Sequence, residues 1–529
     1  MSRLKTIACA GAVMLSAVFC GCDILSHLPV AAEPEMTQEI QTIILSTPEV
    51  TARAANVSKY PDNLDILQQR IVEENSSIRQ MQQDVRDGLY SYEDLTRFYM
   101  ERMENSDSCN AILTIFPTAI AAAQKCDQDN LQSSLLYGIP FVLDDNIDTR
   151  DVKTTCGAYA LADRRPTENA FLVSLLISQG AIPLAKTNLD ELGGSLIGDA
   201  ALHFSTLGGA LTSPYGTDSG ASGAVLAAAT HLAPLAVGVD TNGTLLEAGA
   251  LNRIVCIRPS HALVSREGVM PVNAAYDVPG AIGLTVEDAA WLLYGMQGAS
   301  TEDAFQQTGK YAAIGEPDAF LPSDLTTALG GMRILLDESA ARLPQEVLQA
   351  LRDSGAVLIQ DLAYDPLADA PSSIRDNAGL VFDFGVRDSL ETYFSTQQPV
   401  GISSIQRLAV YNREHAENAI PHGQARLEYL LGLSERDRAR ADEVSIYLAD
   451  VDTMDRFLEQ NNIDLILSAD ADFAQRVYAT LNPCVSIPCG KGSAGHVSAT
   501  FTAANGSDEK AILAAYVVEQ LLANAQAQP

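Results

Sequence analysis

The strongest constraint on the fold is a repeated alternation in the first half of the chain. Short apolar runs that end in polar turns are followed by helix-like stretches stopped by glycine. "GIPFVLDDN" (138–146) reads as a strand entering a loop, and "NAFLVSLLISQG" (169–180) as a helix ended by Gly180. "AIPLAKTN" (181–188) is a strand again, "SGAVLAAATHL" (222–232) a helix, and "APLAVGVDTNG" (233–243) a strand running into a glycine turn. Strands spaced by helices predict a single large α/β/α domain around a mixed, mainly parallel central sheet. Upstream, "SYEDLTRFYMERMENS" (91–106) begins with Ser91 and Asp94 at capping-box spacing, then places Leu95, Phe98, Tyr99 and Met103 on one helical face.

The flanking segments differ in character. Arg3 and Lys5 precede an apolar run from Ile7 to Cys20, the pattern of a secretory signal rather than a membrane span. It closes in Phe19-Cys20-Gly21-Cys22, which resembles a bacterial lipobox, so residues 1–21 are expected to be a signal peptide and Cys22 the lipidated residue. Residues 22–65 carry Pro29, Pro34, Pro48 and Pro61 among polar residues and read as a tether, with the folded domain at 66–529. A more helical, more charged stretch at about 300–450 reads as an insertion or lid. The expected location is therefore exported, in the periplasm or cell envelope, held to the membrane through a lipid anchor.

Charge excludes one class of partner. With 67 acidic against 34 basic residues the formal net charge is −33. Such a surface repels nucleic-acid phosphates. Outside the first 22 residues six cysteines remain: Cys109, Cys126, Cys156, Cys256, Cys484 and Cys489. In an oxidising compartment the strand-like "NAILTIF" and the helix-like "PTAIAAAQKC" could bring Cys109 and Cys126 together as a disulfide. There is no CxxC pair, and seven histidines are scattered without ligand spacing, so neither a metal nor another cofactor is called for.

Six segments, in order, carry a resemblance to a known family. They are "YGIPFVLDDNIDTRDVKTTCGA", "GAIPLAKTNLDEL", "PLAVGVDTNGT", "RPSHALVSREGVMPV", "DVPGAIGLTVEDAAWLL" and "PCVSIPCG". From about residue 70 to 525 the chain resembles the amidase signature family, and within it the peptide-amidase-like branch. The resemblance implies one α/β/α domain with a mixed sheet of about eleven strands. It also implies a triad of a lysine, a serine in a cis peptide and a nucleophilic serine, with backbone N–H groups of a glycine-rich turn holding the oxyanion.

Carried over residue by residue, all three triad positions have changed. The lysine position falls on Asp144, the bridging serine on Gly220 and the nucleophile on Thr244. A one-residue shift would put Ser219 at the bridging position, and Ser222 is two residues from Gly220. The oxyanion turn falls on Thr241, Asn242, Gly243 and Thr244, and the arginine that some branches have after it falls on Leu246, next to Glu247. Asp240 matches an acidic family position and reads as structural.

As a base, Asp144 is shorter than lysine and has an ordinary pKa near 4. Thr244 keeps a hydroxyl but adds a β-methyl that restricts χ1. Losing one member of such a unit commonly costs on the order of 10⁴ to 10⁶ in turnover, and the losses are not additive. Asp144 and Glu247 together could hold an amine or a divalent cation; the favoured alternative has Asp144 facing solvent. A Ser-His-Asp set built on His203, His231 or His261 lacks a GxSxG elbow to support it.

The expectation is thus an amidase-like exported protein with a degenerate active site. It would bind a small amide- or peptide-like ligand in the old cleft, or an envelope protein partner. The alternative is a divergent amidase hydrolysing amides slowly through Thr244, with Asp144 or Ser219.

Overall fold

The computed structural model describes residues 63–129, 131, 134–194, 203–216, 222–308, 313–450, 453–471, 473, 482–492 and 495–526. Residues 1–21, Cys22 and nearly all of the tether fall outside them, as do Ser219 and Gly220.

The core is an α/β arrangement around a mixed sheet of eleven strands. In chain order its members are β1 (Ile112–Ile115), β2 (Pro140–Asp144), β3 (Ile182–Thr187), β6 (Leu235–Thr241), β7 (Val255–Arg258), β8 (Asp277–Gly283), β9 (Arg333–Leu336), β10 (Val357–Ile359), β11 (Leu465–Ala469), β12 (Cys484–Gly492) and β13 (Gly495–Ala503). A separate two-stranded hairpin contributes β4 (Phe204–Ser205) and β5 (Gly209–Ala210). The sheet order is β1-β3-β2-β6-β8-β7-β12-β13-β11-β9-β10. Parallel pairing runs through two blocks, β3–β2–β6 and β11–β9–β10, and the strands around and between them pair antiparallel.

The central block explains the sequence pattern there. Every residue of β2 and β3 is buried, because strands covered on both faces read as continuous apolar runs rather than alternating ones. Helices cover the faces, among them Gly223–Ala229, Thr244–Asn252 and Val286–Met296, with Asp508–Gln526 packed on β12 and β13. The capping box forms as read: Ser91 accepts from the Asp94 N–H and Asp94 accepts from the Ser91 N–H, starting the helix Tyr92–Ser106.

Two expectations need correction. The stretch read as a helical insertion supplies two strands of the central sheet: β9 pairs with both β10 and β11, in parallel. Only its later part, from Ser372 to Asp450, is an all-helical unit. Val386, Leu390, Phe394, Leu408 and Leu427 of that unit form a second apolar cluster with Cys156, Leu192, Met270 and Val272 of the main body. The second correction concerns the disulfide. Cys109 and Cys126 are both free thiols. Cys126 donates instead to the Gly180 carbonyl, 3.7 Å away, and Cys109 lies against Ser108.

Candidate functional site

In parallel sheets, ligands bind beyond the carboxyl ends of the strands. β2 ends at Asp144, β3 at Thr187 and β6 at Thr241, so the parallel block delivers three polar segments to one edge. Register makes them neighbours: Asp144 lies opposite Thr187 on one side, and Leu143 opposite Val237 on the other.

Asp144 does not face solvent, which corrects the favoured expectation; it is 5% exposed. The helix Gly223–Ala229 packs on its strand and brings the Ala224 N–H to the carboxyl group. One carboxylate oxygen accepts from the Thr187 hydroxyl at 2.8 Å, and the other from the Val239 N–H at 3.3 Å. Burial pushes the carboxyl up from 3.8 to about 6, against the Thr187 hydroxyl and the Val239 and Ala224 N–H groups, which favour the charge. Gly238 makes room for it, since a Cβ there would sit 3.2 Å from the carboxylate.

Thr244 opens the helix Thr244–Asn252 and is exposed. The turn before it requires left-handed backbone at Asn242 (φ 63) and Gly243 (φ 88). Its hydroxyl folds back on that turn, accepting from the Thr241 N–H and donating to the Thr241 carbonyl, both at 3.3 Å. Asp240 holds the turn from below, accepting from the Gly243 N–H at 2.8 Å and the Leu245 N–H at 3.1 Å. Among the described residues this leaves the N–H groups of Asn242 and Thr244 without an acceptor.

Two more buried groups fix the turn that sequence reading did not single out. Arg258 faces Asp240 at 3.4 Å and donates to the Asn482 carbonyl and the Cys484 sulfur, tying the turn to β12. Asp277 accepts from the Thr241 hydroxyl at 2.7 Å and from the Val272 and Asn273 N–H groups, and burial raises it to about 6. The signal for Arg258 was a charged residue closing the apolar run "RIVCIR".

The other candidates disperse. Ser222 caps the helix Gly223–Ala229 by accepting from the Val225 N–H. Glu247 is exposed, and Leu246 is buried where an arginine was expected. His203 pairs with Asp190 at 3.5 Å, His231 follows the helix Gly223–Ala229, and His261 is buried against Phe305. Lys186, one strand over, is buried with Asp145 at 3.6 Å and donates to the Ile147 carbonyl. Burial depresses its amine, and it faces away from Thr187 and Asp144 in the strand alternation. Among the described residues, no cluster of three or more His, Cys, Asp or Glu side chains could hold a metal ion, and no helix is long and apolar enough to cross a membrane.

Comparison with known proteins agrees with the fold. The family model described as Amidase matches residues 94–468. A putative amidase of Schizosaccharomyces pombe is 26% identical over 377 residues, which cover 66% of this chain and 64% of that protein. A probable amidase of Arabidopsis thaliana is 24% identical over 80% of this chain and 86% of its own length. A glutamyl-tRNA(Gln) amidotransferase component of Pseudomonas syringae is 31% identical, but the match covers 51% of this chain and 57% of that protein. Among solved structures, an amidase family protein from Bacillus anthracis superposes with a TM-score of 0.77 at 25% identity, covering 92% of this chain and 97% of that one. The native peptide amidase of Stenotrophomonas maltophilia gives 0.75 at 26% identity, covering 85% and 97%.

Proposed function

The chain belongs to the amidase family, and on that premise we propose that its cleft binds an amide- or peptide-like ligand at the Thr241–Thr244 turn without fast hydrolysis by a Lys-Ser-Ser triad. One observation carries the reading. The carboxylate at the lysine position has both oxygens taken by Thr187 and Val239, inside the sheet. A base so held is not placed to draw a proton from Thr244, whose hydroxyl is turned onto Thr241. The turn itself needs no particular side chain to receive a carbonyl, because its donors are backbone N–H groups.

A second reading, slow amide hydrolysis through Thr244, is favoured by the relatives, which are amidases by name. Two features support it. Thr244 is exposed at the start of a helix, and Asp144 is raised to about 6, nearer to a working base than a free aspartate. Turnover of a broad amide and ester panel, measured beside Thr244→Ala, separates the two. We expect no turnover above that control; hydrolysis that vanishes in the variant establishes the second reading.

We also propose that the protein is exported and anchored through Cys22, where it would meet envelope partners. The charged start, apolar run and Phe19-Cys20-Gly21-Cys22 ending support this.

A further inference from the structure

Two residues beyond Asp144 stands a polar side chain that the protein leaves unsatisfied. Asn146 is 3% exposed, and its Oδ1 has no hydrogen-bond partner. A buried acceptor without a donor costs about 1–3 kcal/mol, so such groups in a folded protein call for an explanation. Its backbone is well used, the carbonyl accepting from the Met270 N–H at 2.8 Å. The orphan is the side chain alone.

Asn146 borders the same edge as the Thr241–Thr244 turn. It stands in the turn that follows β2, the strand paired with β6 up to Leu143 and Val237, as the Ile147 N–H donates back to the Asp144 carbonyl. A chain of contacts leads from there to the turn after β6. The Asn146 amide lies beside Gly193, where a Cβ would sit 3.8 Å from its Nδ2 and 2.6 Å from Val272. The Val272 N–H donates to Asp277, which accepts from the Thr241 hydroxyl. Gly193 is held at φ +72 and has no room for a Cβ against Val272, so glycine is required where the backbone passes the amide.

The turn and the orphan have complementary needs. The turn offers backbone donors at Asn242 and Thr244, which suit a carbonyl oxygen; Asn146 Oδ1 requires a donor. We propose that Asn146 accepts the N–H of the bound ligand while the turn receives its carbonyl, making the cleft selective for amides that carry an N–H over esters. This rests on the amide-binding reading above and adds to it the residue that discriminates. A site with a buried acceptor rejects an analogue lacking the donor far more strongly than an apolar pocket rejects a change of size.

Calorimetric binding of benzamide, N,N-dimethylbenzamide and methyl benzoate tests this. The expected result is benzamide bound at least about tenfold more tightly than the other two, as one unsatisfied hydrogen bond implies. Asn146→Leu should erase that preference while leaving the melting temperature unchanged or raised, because it removes a buried orphan rather than a contact. Equal binding of all three by the native protein overturns the role of Asn146 and leaves the amide cleft standing. Binding of none overturns the amide cleft itself. An Asn146→Leu chain that melts lower, or that keeps the preference, shows a structural residue and also overturns the proposal.

Discussion

Replacing Asp144 tests whether the edge of the sheet has been rebuilt around a carboxyl group. Burial raises this group from 3.8 to about 6 in the folded protein. The folded form therefore holds its proton more tightly than the unfolded chain. Its stabilising contribution is fully present below about pH 4 and is lost as pH rises through 6. A rise of about two pH units corresponds to about 3 kcal/mol, the most that ionisation of Asp144 can cost above pH 7. Asp144→Asn keeps the shape and an acceptor oxygen, but it cannot ionise and sets an N–H₂ against a donor, a loss of about 1 kcal/mol. The variant should thus be less stable than the native protein at pH 4 and more stable, by about 2 kcal/mol, at pH 8, with the curves crossing near pH 4.5. Urea unfolding at these three pH values measures it. Asp144→Lys is the informative partner, because it restores the residue expected from the family resemblance. It strips the acceptor from the Val239 N–H at about 1–3 kcal/mol and adds a buried cation, for which the Thr187 hydroxyl can turn to accept. A variant with lysine that folds as well as the native chain, or an asparagine variant whose stability tracks the native curve at every pH, refutes the reasoning.

Arg258→Met leaves Asp240 buried without its cation and should cost about 3–5 kcal/mol, with Asp240→Asn in the same chain recovering part of it. Guanidinium unfolding checks this, and a loss under about 1 kcal/mol would show that Asp240 is held by its N–H donors alone. Metabolic labelling with a radioactive fatty acid in a bacterial host should mark the chain and fail to mark Cys22→Ala; label retained in the variant removes the anchor from Cys22.

Much of the framework was legible because it obeys local rules. Ser91 and Asp94 announce a helix start three residues apart, and Gly180, at φ +86, ends one. "IPLAKT" reads as a buried strand from its own apolar run. The segment that became β9 and β10 was missed because "RILL" and "VLI" are too short to stand out from a charged, helix-rich surrounding; they are strands only because β11 and the body of the sheet await them. The disulfide failed for a related reason. Two cysteines on adjacent elements say nothing of where their Cβ atoms point, and Cys126 points at Gly180. At the site, the segments that carry Asp144 and the Thr241–Thr244 turn could be read from the sequence, as the ends of β2 and β6. What surrounds them could not, because the partners of Asp144 come from β3 and β6, 43 and 95 residues away in sequence.

Those partners bear on how Asp144 is held at this point of the sheet. A buried carboxylate with nothing to meet it would be among the costliest arrangements a core can hold. Instead it meets a hydroxyl donor from Thr187 and an N–H from Val239, while Gly238 keeps the space open. The Val239 N–H also lies within reach of any acceptor at position 144, so it does not by itself argue for design. Nor does Thr187, whose hydroxyl donates to the carboxylate at 2.8 Å but has lone pairs that would equally accept from an ammonium. The arrangement places a proton-holding acid, met by two donors, at the end of β2. It keeps the backbone donors of the Asn242–Thr244 turn, held by Asp240, Arg258 and Asp277. Holding a carbonyl at that turn requires those three residues and the glycine at 243, and none of them depends on a lysine at 144.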